Sequence, residues 1–438
     1  MARPLLLDGR RVHGQGFPRV KEVRLVLSFL LVAAVGGFAL AADPQSALDA
    51  LVAEALARNP EIAYYEGAIG AAKGQVVQAR ILPYPQIEGF AGPWYSTPTR
   101  GGTAHGWMQE YAIYQPVFFP GKMSLAKAIA EKDVRVAELG LQQFRLSLAM
   151  QVRTLAYRLG VATANARIAH EVSERAKGLV DLLRRRPTAG VQGYLDLRIL
   201  EGSLVDLQRL ARELEQNRTA IQSQINALRA RPSATPVPDT IFPPAEAPSL
   251  ALSVLQEQAK NRNYALLMRQ TEIDRAAKSL DAAKLAALPD FSVGPFWIGE
   301  RGTNFDQGPG IVFTSGLPFW NDNRGNILTA AAQRRQAEAL HGSALWSVQS
   351  AVAASFAAYQ TTRKQLAEQS HDVIARLRRA AELADRQYRL GAIPVQTFLE
   401  MQRQYLSSAQ ALYTAALDLQ TALLNLENLT AGTTLAPR

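Results

Sequence analysis

The stretch QPVFFPGK at residues 115–122 returns as GLPFWNDNRG at residues 316–325, with Gly121 and Gly325 set 204 positions apart. Two further landmarks repeat in the same order. PQIEGF, from Pro85, returns as PDFSVGPF from Pro289, an offset of 204, and AGVQGYLDL, from Ala189, returns as LGAIPVQTF from Leu390, an offset of 201. A near-constant offset across three landmarks is the mark of an internal duplication. The repeating unit reads as helix, β-hairpin, helix, helix. Its two copies occupy 42–231 and 249–430, a proline-rich link covers 232–248, and 431–438 form a tail.

Each landmark separates two chemistries. Upstream of QPVFFPGK, residues 85–95 (PQIEGFAGPWY) and 107–118 (WMQEYAIYQPVF) flank a Thr/Gly loop; upstream of its repeat, 290–298 (DFSVGPFWI) and 310–319 (GIVFTSGLPF) flank another. Each pair predicts a β-hairpin, over about 85–118 and 289–319, with strands of about ten residues, the length of a tilted membrane-spanning strand. Downstream lie proline-free tracts rich in Ala, Leu, Gln, Arg and Glu, which favour helix. They predict long helices over about 122–186, 194–230, 322–390 and 394–429, and helix over the proline-free 249–288. Apolar residues recur every three or four positions in them: Val134, Ala137, Leu141, Phe144, Leu148, Val152, Leu155 and Leu159 in one, and Phe398, Met401, Tyr405, Ala409, Leu412, Ala416, Leu419, Leu423 and Leu426 in another. A helix over 122–186 is about 97 Å long at 1.5 Å per residue. That exceeds the width of a globular domain, so the helices pack side by side in a long bundle or tube.

Composition narrows the function class. The chain has 438 residues, 48% hydrophobic, with no Cys, which excludes disulfide-stapled modules, Cys-ligated metal centres and cysteine hydrolases. Residues 25–42 (LVLSFLLVAAVGGFALAA) carry no charge, follow Arg19, Lys21 and Arg24, and close on the small-residue site Ala39-Leu40-Ala41. This predicts a secretory signal over 1–41, cleaved near Ala41; an uncleaved anchor is the alternative reading. Beyond it the basic groups Arg184–Arg186, Arg334-Arg335 and Arg378-Arg379 lack interleaved aromatics, so nucleic acid is not an expected partner. Gly121-Lys122 lacks the first Gly of a phosphate loop, and a calcium loop at Asn321–Gly325 would begin on Trp320. His105, His170, His341 and His371 fall in no metal motif, and no nucleophile–base constellation is present, so neither a cofactor, a bound metal nor an enzyme is expected.

Four strands are too few to close a barrel, and an open edge in lipid leaves backbone groups unpaired. An exported chain with two hairpins of membrane length therefore points to an oligomer sharing one barrel. On the repeat, on Gln115-Pro116 with Gly121, on Leu317-Pro318 with Gly325, and on the turns at Gly190 and Gly391, the sequence resembles the TolC-type outer-membrane efflux proteins over about residues 45–430. The resemblance implies a mainly α chain with a small β part, assembling as a homotrimer. Twelve strands would form a barrel in outer-membrane lipid, continued by a hollow α-barrel in the periplasm. YQPVFFPGK and LPFWNDNRGNI look most like the heavy-metal (CzcC-like) branch. A passive exit duct coupled through a periplasmic adaptor to an inner-membrane pump is then the expected function. A soluble periplasmic helical-hairpin scaffold or adaptor is the alternative, as are drugs or secreted proteins for the substrate.

The same resemblance places two turns, 187–194 and 390–394, at the periplasmic tips. Gly190, Val191, Gly391, Ala392, Ile393 and Pro394 would dock the adaptor there. Asp196 and Glu400, just inside the tips, would line the channel aperture. Gly193 and Leu195 depart from the Ser or Thr usual in the first turn.

Overall fold

An asparagine between two helices shapes the start of each repeat, followed in the first by a proline at the first helical position. In the computed structural model, α1 (Pro44–Arg58) gives way to α2 (Pro60–Gln78) at Asn59, whose Oδ1 accepts from Glu61 N at 2.9 Å while its Nδ2 donates to Leu228 O at 3.1 Å. The second repeat does the same with α5 (Leu252–Arg262) and α6 (Tyr264–Leu285) around Asn263, which accepts from Leu266 N at 3.3 Å and donates to Leu429 O at 3.0 Å. Both asparagines are buried. Each thus caps one helix and satisfies a terminal carbonyl of another, which pins the repeat closed. The single helix expected over 249–288 is therefore two: Asn263 has extended ψ (122°) and bends the chain without a proline.

The structure describes residues 44–96, 104–185, 190–239, 241–243, 249, 251–302, 305–317, 319–368 and 372–432. The signal expected over 1–41, Arg186 and Pro187 of the expected first turn, Pro318, His371, part of the link and residues 433–438 of the tail lie outside them. The remaining elements are β1 (Gln86–Ser96), β2 (Ala104–Val117), α3 (Lys122–Arg185), α4 (Gly190–Leu228), β3 (Phe291–Arg301), β4 (Phe305–Ser315), α7 (Arg324–Glu368), α8 (Val373–Arg389) and α9 (Val395–Leu429). The helix expected over 322–390 is interrupted between α7 and α8. Asp372, just before α8, is a residue type that competes with the helix for backbone hydrogen bonds, and it is neither proline nor glycine.

Long helices need long stripes. In α3, Leu148, Val152, Leu155 and Leu159 are all buried, and in α9 Phe398, Tyr405, Ala409, Leu419, Leu423 and Leu426 are buried as well. The link lies across this packing: Ile241 is 1% exposed, and a Cβ on Gly160 of α3 would lie 2.1 Å from Ile241 O, so only glycine admits the link there. Glu54 of α1 ties in the end of α4, pairing with Arg229 and, at 2.6 Å, with Arg231. The two guanidiniums, Arg231 first, hold the Glu54 carboxyl below its ordinary range.

The four strands form one antiparallel sheet in the order β1-β2-β3-β4. Registry sorts the side chains into two faces. One face carries Ile87, Tyr95, Trp107, Tyr111, Ile113, Val293, Trp297, Phe305, Ile311 and Phe313, and its only charged side chain among the paired residues, histidine aside, is Arg301. The other carries Glu88, Glu110, Glu300 and Asp306 and no Lys or Arg, with Glu300 directly opposite Asp306. The apolar face is the barer one: Ile87 is 80% and Ile311 79% exposed, whereas on the acidic face Glu110 and Glu300 of the inner strands are half-buried and Glu88 and Asp306 of the edge strands are exposed. A bare apolar face inverts the order of a water-soluble sheet, in which apolar side chains are covered.

Candidate functional site at the helical hairpin ends

The end of α3, the start of α4, the end of α8 and the start of α9 converge on one apolar cluster. Leu179, Val180, Leu200, Val395 and Phe398 are buried in it, with Tyr388 stacked on Phe398 at 5.7 Å and Ile393 packed at its edge. The two turns predicted from sequence are thereby brought to the same end of the molecule.

Backbone chemistry explains the second turn. The N–H of Gly391 donates to Tyr388 O at 2.9 Å and that of Ala392 to Gln387 O at 2.9 Å, and Gly391 takes φ +75°. This reverse-capping pair satisfies two orphan carbonyls of α8 and needs a left-handed residue, which glycine supplies at least cost. Pro394 follows as the extended N-cap of α9. Gly190 likewise has φ +83°, but it is already the first residue of α4, so the turn expected over 187–194 ends sooner than the sequence suggests.

Around the turns, Gly190, Val191, Gly391, Ala392 and Pro394 are exposed, Val191 by 76%. Asp196 is half-buried and shares a cleft with Gln192, Tyr388, Gly391, Ile393 and Pro394, and it accepts from Gln192 Nε2 at 3.0 Å. Burial, and secondarily the Asp196 carboxylate, push the Tyr388 hydroxyl above its ordinary pKa. Glu400 is exposed and does not line this cleft. The structure therefore joins Asp196 to the second turn and leaves Glu400 apart.

Sequence reasoning missed three sets of contacts at this end. Tyr388 lies three residues before Gly391, one helical turn back, so its place beside the turn could have been read from spacing. Tyr194, Leu195 and Leu390 extend the exposed apolar surface begun by Val191; Leu390 is 78% exposed. Arg184 and Arg198 both bind Glu201, at 2.8 and 2.7 Å, and Arg198 stacks over Tyr194 at 4.9 Å, tying the end of α3 to the start of α4. No sequence motif announces that network. Among the described residues, no group of three or more His, Cys, Asp or Glu side chains is placed to hold a metal.

The model of the family described as "Outer membrane efflux protein" matches residues 51–231 and 255–432, one segment for each repeat. The chain belongs to that family. This efflux-family chain is 25% identical over 315 residues to the fusaric acid resistance protein FusA of Burkholderia cepacia, covering 64% of this chain and 56% of that protein. It is 27% identical over 303 residues to the pyoverdine export outer membrane protein OpmQ of Pseudomonas putida, covering 67% of this chain and 63% of the relative. The matches thus span less than two thirds of either curated relative. Among solved structures, its fold is similar to that of CusC, with TM-score 0.68 at 16% identity over 88% of this chain and 92% of the other. It is also similar to that of the outer membrane protein VceC of Vibrio cholerae, with TM-score 0.67 at 16% identity over 88% and 96%. The family is one of channels, with no catalytic activity.

Proposed function

We propose that this protein is the outer-membrane exit duct of a tripartite efflux system, assembled as a homotrimer with twelve strands in the lipid and an α-barrel in the periplasm. The observation that carries this reading is the inverted sheet. A bare apolar face with acids on the opposite face is stable where lipid lies outside and water inside. The hairpin ends, with their exposed Val191, Leu195 and Leu390, then stand at the periplasmic end. There they would dock an adaptor that links the duct to an inner-membrane pump, which supplies the energy.

For the substrate, the reading is heavy-metal cations. Its support is the pair of segments YQPVFFPGK and LPFWNDNRGNI together with a strand face that carries four carboxylates and no basic side chain, a charge pattern that favours cations in a lumen. A second reading, small organic molecules, is favoured by the relatives whose names speak of fusaric acid resistance and pyoverdine export. Deleting the gene separates them. Loss of tolerance to zinc, cobalt, nickel or cadmium greater than loss of tolerance to organic toxicants is the expected result. The reverse ranking assigns the duct to the organic class, and recovery of the protein as a soluble periplasmic monomer would sink the duct reading altogether.

At the aperture, Asp196→Asn and Glu400→Gln have separable expected effects. Three copies of each acid around one axis focus negative potential, so either change should lower the cation-to-anion permeability ratio toward unity in single-channel recordings. Only Asp196→Asn, which disturbs the cleft with Gln192 and Tyr388, should also raise conductance and admit bulky antibiotics. Unchanged selectivity in the assembled double variant would mean that both acids are solvated surface groups.

A further inference from the structure

Beside the first turns of α8, an open cleft of about 790 Å³ lies between α3, α8 and α9. Its charges do not balance. Glu171 of α3 and Glu382 of α8 each contact both Arg175 and Arg378, with Glu382 3.2 Å from Arg378 and 3.5 Å from Arg175, so two carboxylates and two guanidiniums close on one another. Arg167 of α3 and Arg379 of α8 line the same cleft, and neither has an acidic partner among the described residues. A third polar group there is also unmatched. Tyr405 of α9 lines the cleft at 2% exposure, and its hydroxyl has no hydrogen-bond partner among the described residues.

A buried polar group without a partner costs free energy, so native structures keep few of them unless something else satisfies the group. Guanidinium forks match a carboxylate, and a phenol adds one more donor to it. The rest of the wall is apolar and belongs to one cluster: Ile168 is 3% exposed, Ile374 is half-buried, and the half-buried Tyr413 ring packs on Phe242 at 5.8 Å. An inorganic anion would leave that wall facing water. A polyanion would meet Glu171 and Glu382.

We infer that the cleft binds a small aromatic monocarboxylate, its carboxylate held by Arg167, Arg379 and the Tyr405 hydroxyl and its ring lying against Ile374 and Tyr413. Such a ligand joins α3, α8 and α9 through one charged group, just where α8 starts anew after the end of α7. Arg167 precedes the end of α3 at Arg185 by 18 residues, about 27 Å of helix, so this site is separate from the hairpin ends. Its chemistry is also independent of what the duct carries.

Cinnamate is the probe and cinnamyl alcohol its uncharged counterpart, each titrated by calorimetry into the full-length protein in detergent. The expected result is saturable binding of cinnamate, one molecule per chain, with the alcohol at least about tenfold weaker. Arg167→Gln and Arg379→Gln should each weaken cinnamate binding about tenfold. Tyr405→Phe, which keeps the ring in the core, should weaken it several-fold, and Arg335→Gln, an exposed position of α7 outside the cleft, should leave it unchanged. Location has its own readout. The chain lacks cysteine, so Ala375→Cys puts a single thiol at the exposed rim of the cleft, and cinnamate should slow its labelling by a maleimide while the alcohol does not. Absence of saturable binding, equal binding of acid and alcohol, or unchanged affinity in both arginine variants overturns the inference. Cinnamate that binds without protecting the thiol overturns the location, and inorganic phosphate that displaces it at equal concentration overturns the ligand class.

Discussion

Gly294→Val should remove the protein from the outer membrane. A Cβ at position 294 would lie 1.9 Å from Ile113 O and 2.6 Å from Tyr114 Cα, both backbone atoms of the adjacent strand, so no side-chain movement relieves the clash. Ladder pairing between β2 and β3 passes from Ala112↔Phe296 directly to Gln115↔Val293, and Pro295, in the gap, has no N–H to give. The strands touch there because nothing separates their backbones. Overpacking costs about 1–3 kcal/mol, and strands pushed apart in lipid leave backbone groups unpaired at several kcal/mol each. Detergent-resistant oligomer in the outer-membrane fraction should fall at least about tenfold, since about 1.4 kcal/mol is a factor of ten in an equilibrium. Gly308→Val is the control, as nothing lies within 4 Å of a Cβ there. Equal oligomer for both variants would mean that β2 and β3 are not in this close contact in the membrane.

Gly391→Val tests the docking tips, and its effect should fall on export alone. Open space surrounds a Cβ at this position, so the cost comes only from φ +75°. A left-handed conformation costs an ordinary L-residue about 1–2 kcal/mol, more for a β-branched one, and Asn tolerates it better than most. Valine should therefore undo the reverse cap that holds Ala392 N to Gln387 O and shift Ile393 and Pro394, whereas Gly391→Asn should keep the turn. The expected result is export near that of the gene deletion for Val and near that of the unaltered protein for Asn, with equal outer-membrane oligomer. If Gly391→Val lowers oligomer as much as export, the turn matters for folding and not for docking. Full export by Gly391→Val would remove the tip from the docking surface.

The periodic and punctuated parts of this protein were legible without coordinates. Proline cannot sit within a helix, so the tract after Pro120 runs as α3 from Lys122 to Arg185, and glycine's tolerance of positive φ marked Gly190 and Gly391 as turn residues. Duplication could be read because each copy must satisfy the same local rules at the same spacing. What could not be read were contacts between residues far apart in the chain. The breaks at Asn263 and at Asp372 fall on neither proline nor glycine; Asn263 is fixed by a carbonyl of α9 more than 160 positions away. Asp196 and Glu400 looked alike as acids just inside a turn, yet packing of α8 against the ends of α3 and α4 draws Asp196 into the Tyr388 cleft and leaves Glu400 in solvent. The alternation of each strand was too imperfect to name its outward face until registry aligned all four and gathered the acids on one side. Local backbone preference is written residue by residue, so the hairpins, the long helical tracts and their repetition are legible in the sequence. Which faces meet, and where a helix breaks for a distant partner, depends on the sum of many weak, non-local contacts, which exist only once the chain has folded.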